Sequence, residues 1–158
     1  MKAIKPAQGF LLVLGVLGTL WGLEYVVTAR QHQGDFIRVA PDSQGLVRIE
    51  SQDIQPQQVR FFRFLNTGNQ EVKFFVGRDL RGHVQVAFDA NETCAKSKRG
   101  YRHDGEWVVC NKCDKAFRLT EVNSSGGGCM PVPLPFREQG TAILVAEADI
   151  LRGWRLFH

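Results

Sequence analysis

The chemistry open to this chain is concentrated in four cysteines, Cys94, Cys110, Cys113 and Cys129. Fifteen residues separate Cys94 from Cys110, and fifteen separate Cys113 from Cys129. The central Cys110-Asn111-Lys112-Cys113 is a C-x-x-C turn, which presents two sulfurs to one point. Two more sulfurs from flanking loops complete a tetrahedral four-thiolate cage, suited to zinc, iron or an iron–sulfur cluster. The competing reading is two disulfides, and its weight depends on which side of a membrane the cysteines occupy.

The surroundings of the motif narrow the choice. The pair reads C-N-K-C-D, which excludes the C-x-x-C-H of covalent c-type haem attachment. A second C-x-x-C is absent, so a zinc-ribbon or rubredoxin pattern is incomplete. A thioredoxin-like site would put C-x-x-C at a helix N-terminus within a βαβ unit, and the flanks do not read that way. Lys96, Lys98, Arg99, Arg102, Lys112 and Lys115 lie within a few residues of a cysteine. Such cations compensate a thiolate cluster's negative charge and lower thiol pKa values, although any one lysine also reads as a solvated loop residue. His103 and Met130 are additional candidate ligands, Met130 as a soft donor for copper. A solvent-facing hairpin residue and a packed side chain are their competing readings. His32, His83 and His158 fall in a linker, a turn and the terminus. Asn91-Glu92-Thr93 and Asn123-Ser124-Ser125 match glycosylation sequons, a match short enough to arise by chance.

The elements that must carry these residues read as mainly β. Val59 to Leu65 is strongly aromatic and ends at an Asn66-Thr67-Gly68-Asn69 turn. In the next run Val72, Phe74 and Val76 alternate, and after another turn so do Val84, Val86 and Phe88. Three period-2 strands joined by short turns predict an antiparallel meander. Asp104-Gly105 predicts a hairpin whose second strand, 106–109, delivers Cys110. Residues 116–122 and 141–146 read as further strands, 148–154 as a short helical turn, and 35–40 and 45–50 as short strands. Pro131, Pro133 and Pro135 alternate and predict an extended strap that holds Cys129.

The N-terminus carries a different signal. Lys2 and Lys5 precede a run from Gly9 to Val27 that is apolar apart from Thr19 and Glu24. Roughly 20 residues span a bilayer, so the run predicts an uncleaved transmembrane or signal anchor over 9–29. The preceding lysines put the N-terminus in the cytoplasm and the rest of the chain outside. A signal peptide cleaved near Val27-Thr28-Ala29 is the rival. The expected organisation is a cytoplasmic tail (1–8), an anchor helix (9–29), a linker with short strands (30–56) and a compact antiparallel β domain (57–158). The net charge of +4, without an Arg/Lys run, argues against nucleic-acid binding.

The order RFFRF, VKFFVGRD, an FDA turn leading to a cysteine, GYRHDGEWVVCNKC and GGGCMPVPLP resembles the FtrD-like membrane iron–sulfur protein family over about residues 58–150. The resemblance implies that Cys94, Cys110, Cys113 and Cys129 are metal or cluster ligands. It further implies a link to iron-permease systems that take up ferrous iron. One position departs from the family pattern. Asn91 stands where members often carry a cysteine, so a site needing that fifth thiolate is not carried over intact, whereas four thiolates suffice for one metal or cluster.

Two functions follow as expectations. The first is an extracytoplasmic carrier tethered to the cytoplasmic membrane. Its thiolate centre holds iron or an iron–sulfur cluster, with zinc or copper as alternatives, and serves a metal-permease or redox partner. The second is an interaction module stapled by structural zinc or two disulfides. Paired carboxylates and a Ser/His/Asp arrangement are not legible, so a non-enzymatic carrier is favoured over an enzyme.

Overall fold

The computed structural model describes residues 15–19, 21–22, 35–124 and 127–158. The chain divides into two units, Met1–Gln33 and Gly34–His158. In the first, residues 15–19 and 21–22 are helical and exposed, and the Thr19 hydroxyl donates to the Val16 carbonyl at 2.8 Å. Most of the expected anchor over 9–29 lies outside the described residues. Among the described residues, no helix is long and apolar enough to cross a membrane.

The second unit is mainly β. Its strands are β1 (Ile37–Val39), β2 (Leu46–Glu50), β3 (Val59–Leu65), β4 (Glu71–Arg78), β5 (Val84–Phe88), β6 (Tyr101–Asp104), β7 (Trp107–Cys110), β8 (Ala116–Arg118), β9 (Arg137–Gln139) and β10 (Ala142–Ala146). The short helix α1 (Glu147–Arg152) and a 3-10 turn close the chain. The strands form three sheets, in the orders β1-β3-β4-β5, β2-β10-β9 and β6-β7-β8.

The meander is present as β3–β4–β5, antiparallel, with Phe62 opposite Phe74 and Phe74 opposite Phe88. β1 departs from the antiparallel expectation and pairs with β3 in parallel, Ile37 against Phe62. A parallel neighbour needs a long connection, and here the intervening chain supplies β2 to another sheet.

Alternation along β3, β4 and β5 sends side chains to both faces of this central sheet. On one face Phe62, Phe64, Val72, Phe74, Val76, Val84, Val86 and Phe88 pack with Val47, Ile49, Ile143 and Val145 of the β2-β10-β9 sheet. On the other, Phe61, Phe75 and Ala87 pack with Tyr101, Val108, Cys110 and Leu119 from the β6-β7-β8 layer and its 3-10 turn. Gly77 makes room on this second face, since a Cβ there would lie 2.9 Å from Leu119 Cδ2. The central sheet is therefore a shared wall between a larger hydrocarbon core and a smaller core that ends in sulfur.

The strap after Cys129 lies along the free edge of β5. The Val132 and Leu134 N–H groups donate to Ala90 and Val86 carbonyls at 3.1 and 3.0 Å, and Phe88 N–H donates to Val132 at 2.8 Å. Pro133 bridges Ala87 in antiparallel fashion.

Candidate metal centre

Three chain segments meet at the rim of the smaller core. The first is the turn that follows β5. The Asn91 carbonyl accepts the Ala95 N–H at 3.1 Å and the Cys94 carbonyl accepts the Ser97 N–H at 2.9 Å, which curls the backbone around Cys94. The second is the C-x-x-C turn at the end of β7. Cys110 N–H donates to the Lys115 carbonyl and Asp114 N–H to the Cys110 carbonyl, both at 2.9 Å. Asp114 takes a left-handed φ of 55° to reverse the chain. Arg102 braces this turn from β6, contacting Asn111 Oδ1 at 3.2 Å and Asp114 Oδ1 at 3.1 Å. The Asn111 amide donates to the Arg99 carbonyl at 2.9 Å and stitches the first two segments together. The third segment is the glycine-rich loop that delivers Cys129 to the strap.

These segments bring the Sγ atoms of Cys94, Cys113 and Cys129 within 4.8 Å of one another. Cys94 Sγ lies 3.6 Å from Cys129 Sγ. The Cys94 thiol also interacts with the thiols of Cys110 and Cys113, but Cys110 Sγ falls outside the trio that lies mutually within 4.8 Å. All four cysteines are free. Cys110 is buried, Cys94 and Cys129 are half-buried, and Cys113 is exposed. Burial, then the thiol of Cys129, then Cys110 and Cys113 push Cys94 up to about 12. Crowded thiols that resist losing protons one by one are the expected metal-free state of a thiolate cage. A cation relieves that resistance, because it binds the thiolate and displaces the proton.

The cage rests on a hydrogen-bonded floor. Tyr101 is buried, and its hydroxyl donates to the Cys129 carbonyl at 2.5 Å. That hydroxyl accepts from Asn91 Nδ2 at 2.7 Å. The Tyr101 backbone N–H donates to Asp89 Oδ1 at 2.6 Å. Asp89 is buried, and burial raises it to about 7 against the opposing pull of this N–H and of Lys73. Gly100, at φ +60°, passes so close to the Asp89 carboxylate that a Cβ would collide with it. A cavity of about 220 Å³, lined in part by Lys73, Asp89, Asn91 and Lys98, opens beside Cys94 and Cys110.

His103 lies apart from the thiol group. Its Nε2 sits 2.8 Å from the Gln57 carbonyl and 2.7 Å from that of Gly105, which pins the hairpin. Met130 follows Cys129 and is half-buried, its backbone N–H donating to the Gly127 carbonyl at 3.2 Å. The sequence reads Asn91 as a missing ligand and as the start of a chance sequon match, not as a support for the site. In the fold it is buried, at 2 % exposure, and its amide is fully engaged, which closes the sequon at that position. The available signal was its place three residues before Cys94, the spacing at which an Asn side chain caps a following backbone N–H.

The donor set fits a thiophilic metal or cluster, since sulfur ligands select iron–sulfur centres, zinc and copper(I). The family described as membrane iron-sulfur containing protein FtrD-like matches residues 54–157, which include all four cysteines, and the chain belongs to this family. No curated protein matches the chain.

Proposed function

We propose that the β domain is a carrier. It holds iron through Cys94, Cys110, Cys113 and Cys129 outside the cytoplasmic membrane, and exchanges electrons or iron with a permease or redox partner in that membrane. The observation that supports this reading is the convergence of three free thiols, Cys94, Cys113 and Cys129, from three separate segments, with Cys110 interacting with Cys94. The Cys94–Cys129 separation of 3.6 Å is close to the sulfur–sulfur edge of about 3.8 Å expected for one tetrahedral ion with bonds near 2.3 Å, and Cys113 lies within 4.8 Å of both. One iron in four thiolates is the smallest iron–sulfur centre, and it agrees with the description of the family. Iron so held supplies a one-electron couple. The protein's own part is to fix the sulfurs and to bury Cys110 away from the surface. Cys110 faces the core and Cys113 faces solvent, so a partner reaches the site from the Cys113 side. The exposed Lys112 and Lys115 flank that side and favour an anionic partner surface.

The test is anaerobic loading with ferrous iron, with and without added sulfide, then oxidation with ferricyanide, followed by visible absorption and analysis of iron and acid-labile sulfide. About one iron per chain with thiolate-to-iron charge-transfer bands is expected. Colourless protein with bound zinc, or thiols lost to disulfides, would move the domain to the stapled interaction module. Labile sulfide with several irons would replace the single ion with a cluster.

A further inference from the structure

Asn91 holds a distinct position beside the sulfurs. Its Oδ1 accepts the Cys94 backbone N–H at 2.6 Å. That contact fixes which end of the amide is oxygen, so Nδ2 must face the other way. Nδ2 carries two protons. One goes to Tyr101 Oη at 2.7 Å, and Nδ2 also lies 3.8 Å from Cys110 Sγ, within hydrogen-bonding range of a sulfur. Tyr101 Oη cannot relieve Asn91 by turning, because its own proton is committed to the Cys129 carbonyl. The amide is buried, at 2 % exposure, and is held by these protein partners. One side chain thus touches the backbone of Cys94, the sulfur of Cys110 and, through Tyr101, the backbone of Cys129.

We infer that Asn91 is the positioning residue that sets the electronic character of the centre, by presenting a fixed N–H to the Cys110 sulfur. The inference rests on the thiolate centre proposed above and adds what governs its potential. A hydrogen bond to a thiolate withdraws electron density from the sulfur. It therefore stabilises the more negative, reduced state, and such bonds are among the determinants of potential in iron–sulfur proteins. Residues that hold a ligand without binding the metal also affect affinity, typically by 10–100-fold on mutation. A cysteine at this position would add a ligand; the asparagine adds a dipole and leaves the ligand count at four.

The experiment compares wild type, Asn91→Asp, Asn91→Ser and Tyr101→Phe. Asn91→Asp keeps the shape and the acceptor for Cys94 N–H, but turns a carboxylate oxygen toward the sulfur. Asn91→Ser removes the amide without adding charge, and carries the same expectation where the aspartate variant does not fold. Tyr101→Phe removes the neighbouring hydrogen bond and leaves the N–H toward sulfur in place. Redox titration of the iron-loaded proteins should show lower potentials for both Asn91 variants. At a fixed poise the oxidised-to-reduced ratio should rise about tenfold, equivalent to 59 mV for a one-electron couple. Tyr101→Phe should shift that ratio less than about threefold, while weakening affinity for cobalt within the 10–100-fold range. Asn91 variants with wild-type potential and charge-transfer spectrum would overturn the inference. So would a Tyr101→Phe shift as large as theirs, since the effect would then be structural. Those results leave the carrier reading standing, whereas wild-type protein that takes up neither iron nor cobalt overturns both.

Discussion

The two faces of the central sheet are made by the same three long strands, yet they bury different chemistry. Toward the β2-β10-β9 sheet, Phe62, Phe74, Val76 and Val86 meet Val47, Ile143 and Val145, hydrocarbon on hydrocarbon. Toward the β6-β7-β8 sheet, Phe61, Phe75 and Ala87 share the interior with Tyr101 and Cys110. The buried polar side chains of Gln85, Asp89 and Asn91 belong to β5 or the turn beyond it. Gln85 alternates onto this second face beside Ala87, and the Asp89 and Asn91 contacts run to Tyr101 and Cys110. Dispersion and area fix the first face, and many near-equivalent packings serve it. Directional bonds fix the second, so few substitutions do. A domain that must hold reactive sulfur at a rim gains from this division, because the stabilising core does not depend on the site.

The division fails if the first face proves dispensable. Phe74 is fully buried and stacks on Phe62 with ring centroids 5.4 Å apart. Phe74→Ala should cost about 3–5 kcal/mol in urea denaturation, the range for a large buried aromatic cut to alanine. A loss below about 1 kcal/mol would mean that the sulfur face carries the fold.

A sharper probe of the second face is pH. Asp89 stands at 3.8 in its ordinary state and at about 7 in the fold, raised by burial. Between those values the unfolded chain has released the proton and the folded chain keeps it. Folding then takes up a proton, so stability falls as pH rises through this window and levels off above about 7. The full effect is on the order of 4 kcal/mol. Asp89→Asn keeps an acceptor for Tyr101 N–H and should flatten the slope between about pH 4.5 and 7.5. Identical slopes in wild type and variant would remove Asp89 from the account.

Smaller still is the effect of a close approach on the first face. Gly153 packs against the Phe88 ring, which a Cβ would strike. Gly153→Ala should cost about 1–3 kcal/mol by overpacking while leaving metal content unchanged. The least effect on stability belongs to the rim. Cys113 is exposed, so Cys113→Ser should change unfolding free energy by no more than about 0.5 kcal/mol. It should nevertheless abolish iron binding with a native circular-dichroism spectrum. Collapse of the β spectrum together with metal loss would merge the two faces into one cooperative, metal-dependent unit.

Much of this organisation was legible in the sequence. Alternation located β3, β4 and β5, and Asp104-Gly105 located the β6–β7 hairpin, because both signals are local. The residues Val72, Phe74 and Val76 marked one buried face, but Phe61 and Phe75 lie on the other. A period-2 pattern blurs when both faces are covered. β9, Arg-Glu-Gln, is wholly exposed and offers no apolar signal. The parallel pairing of β1 is set by the path of the intervening chain, not by its three residues. Spacing around C-x-x-C predicts that the thiols gather, and Cys94, Cys113 and Cys129 do lie within 4.8 Å of one another. The floor of Tyr101, Asn91 and Asp89 was hidden, since it depends on side-chain directions from three different segments.

The proline strap has a consequence for how the molecule meets its neighbours. Its even positions, Val132 and Leu134, turn their N–H groups toward β5 and use them there. Its odd positions, 131, 133 and 135, are where outward-pointing N–H groups would stand, and each is proline, which has none. The strap occupies the open margin of the large sheet and then offers no matching donors to a further strand. At high local concentration, edge-to-edge strand addition between copies leads to insoluble assemblies. The segment that carries Cys129 into place also makes that margin a dead end for aggregation.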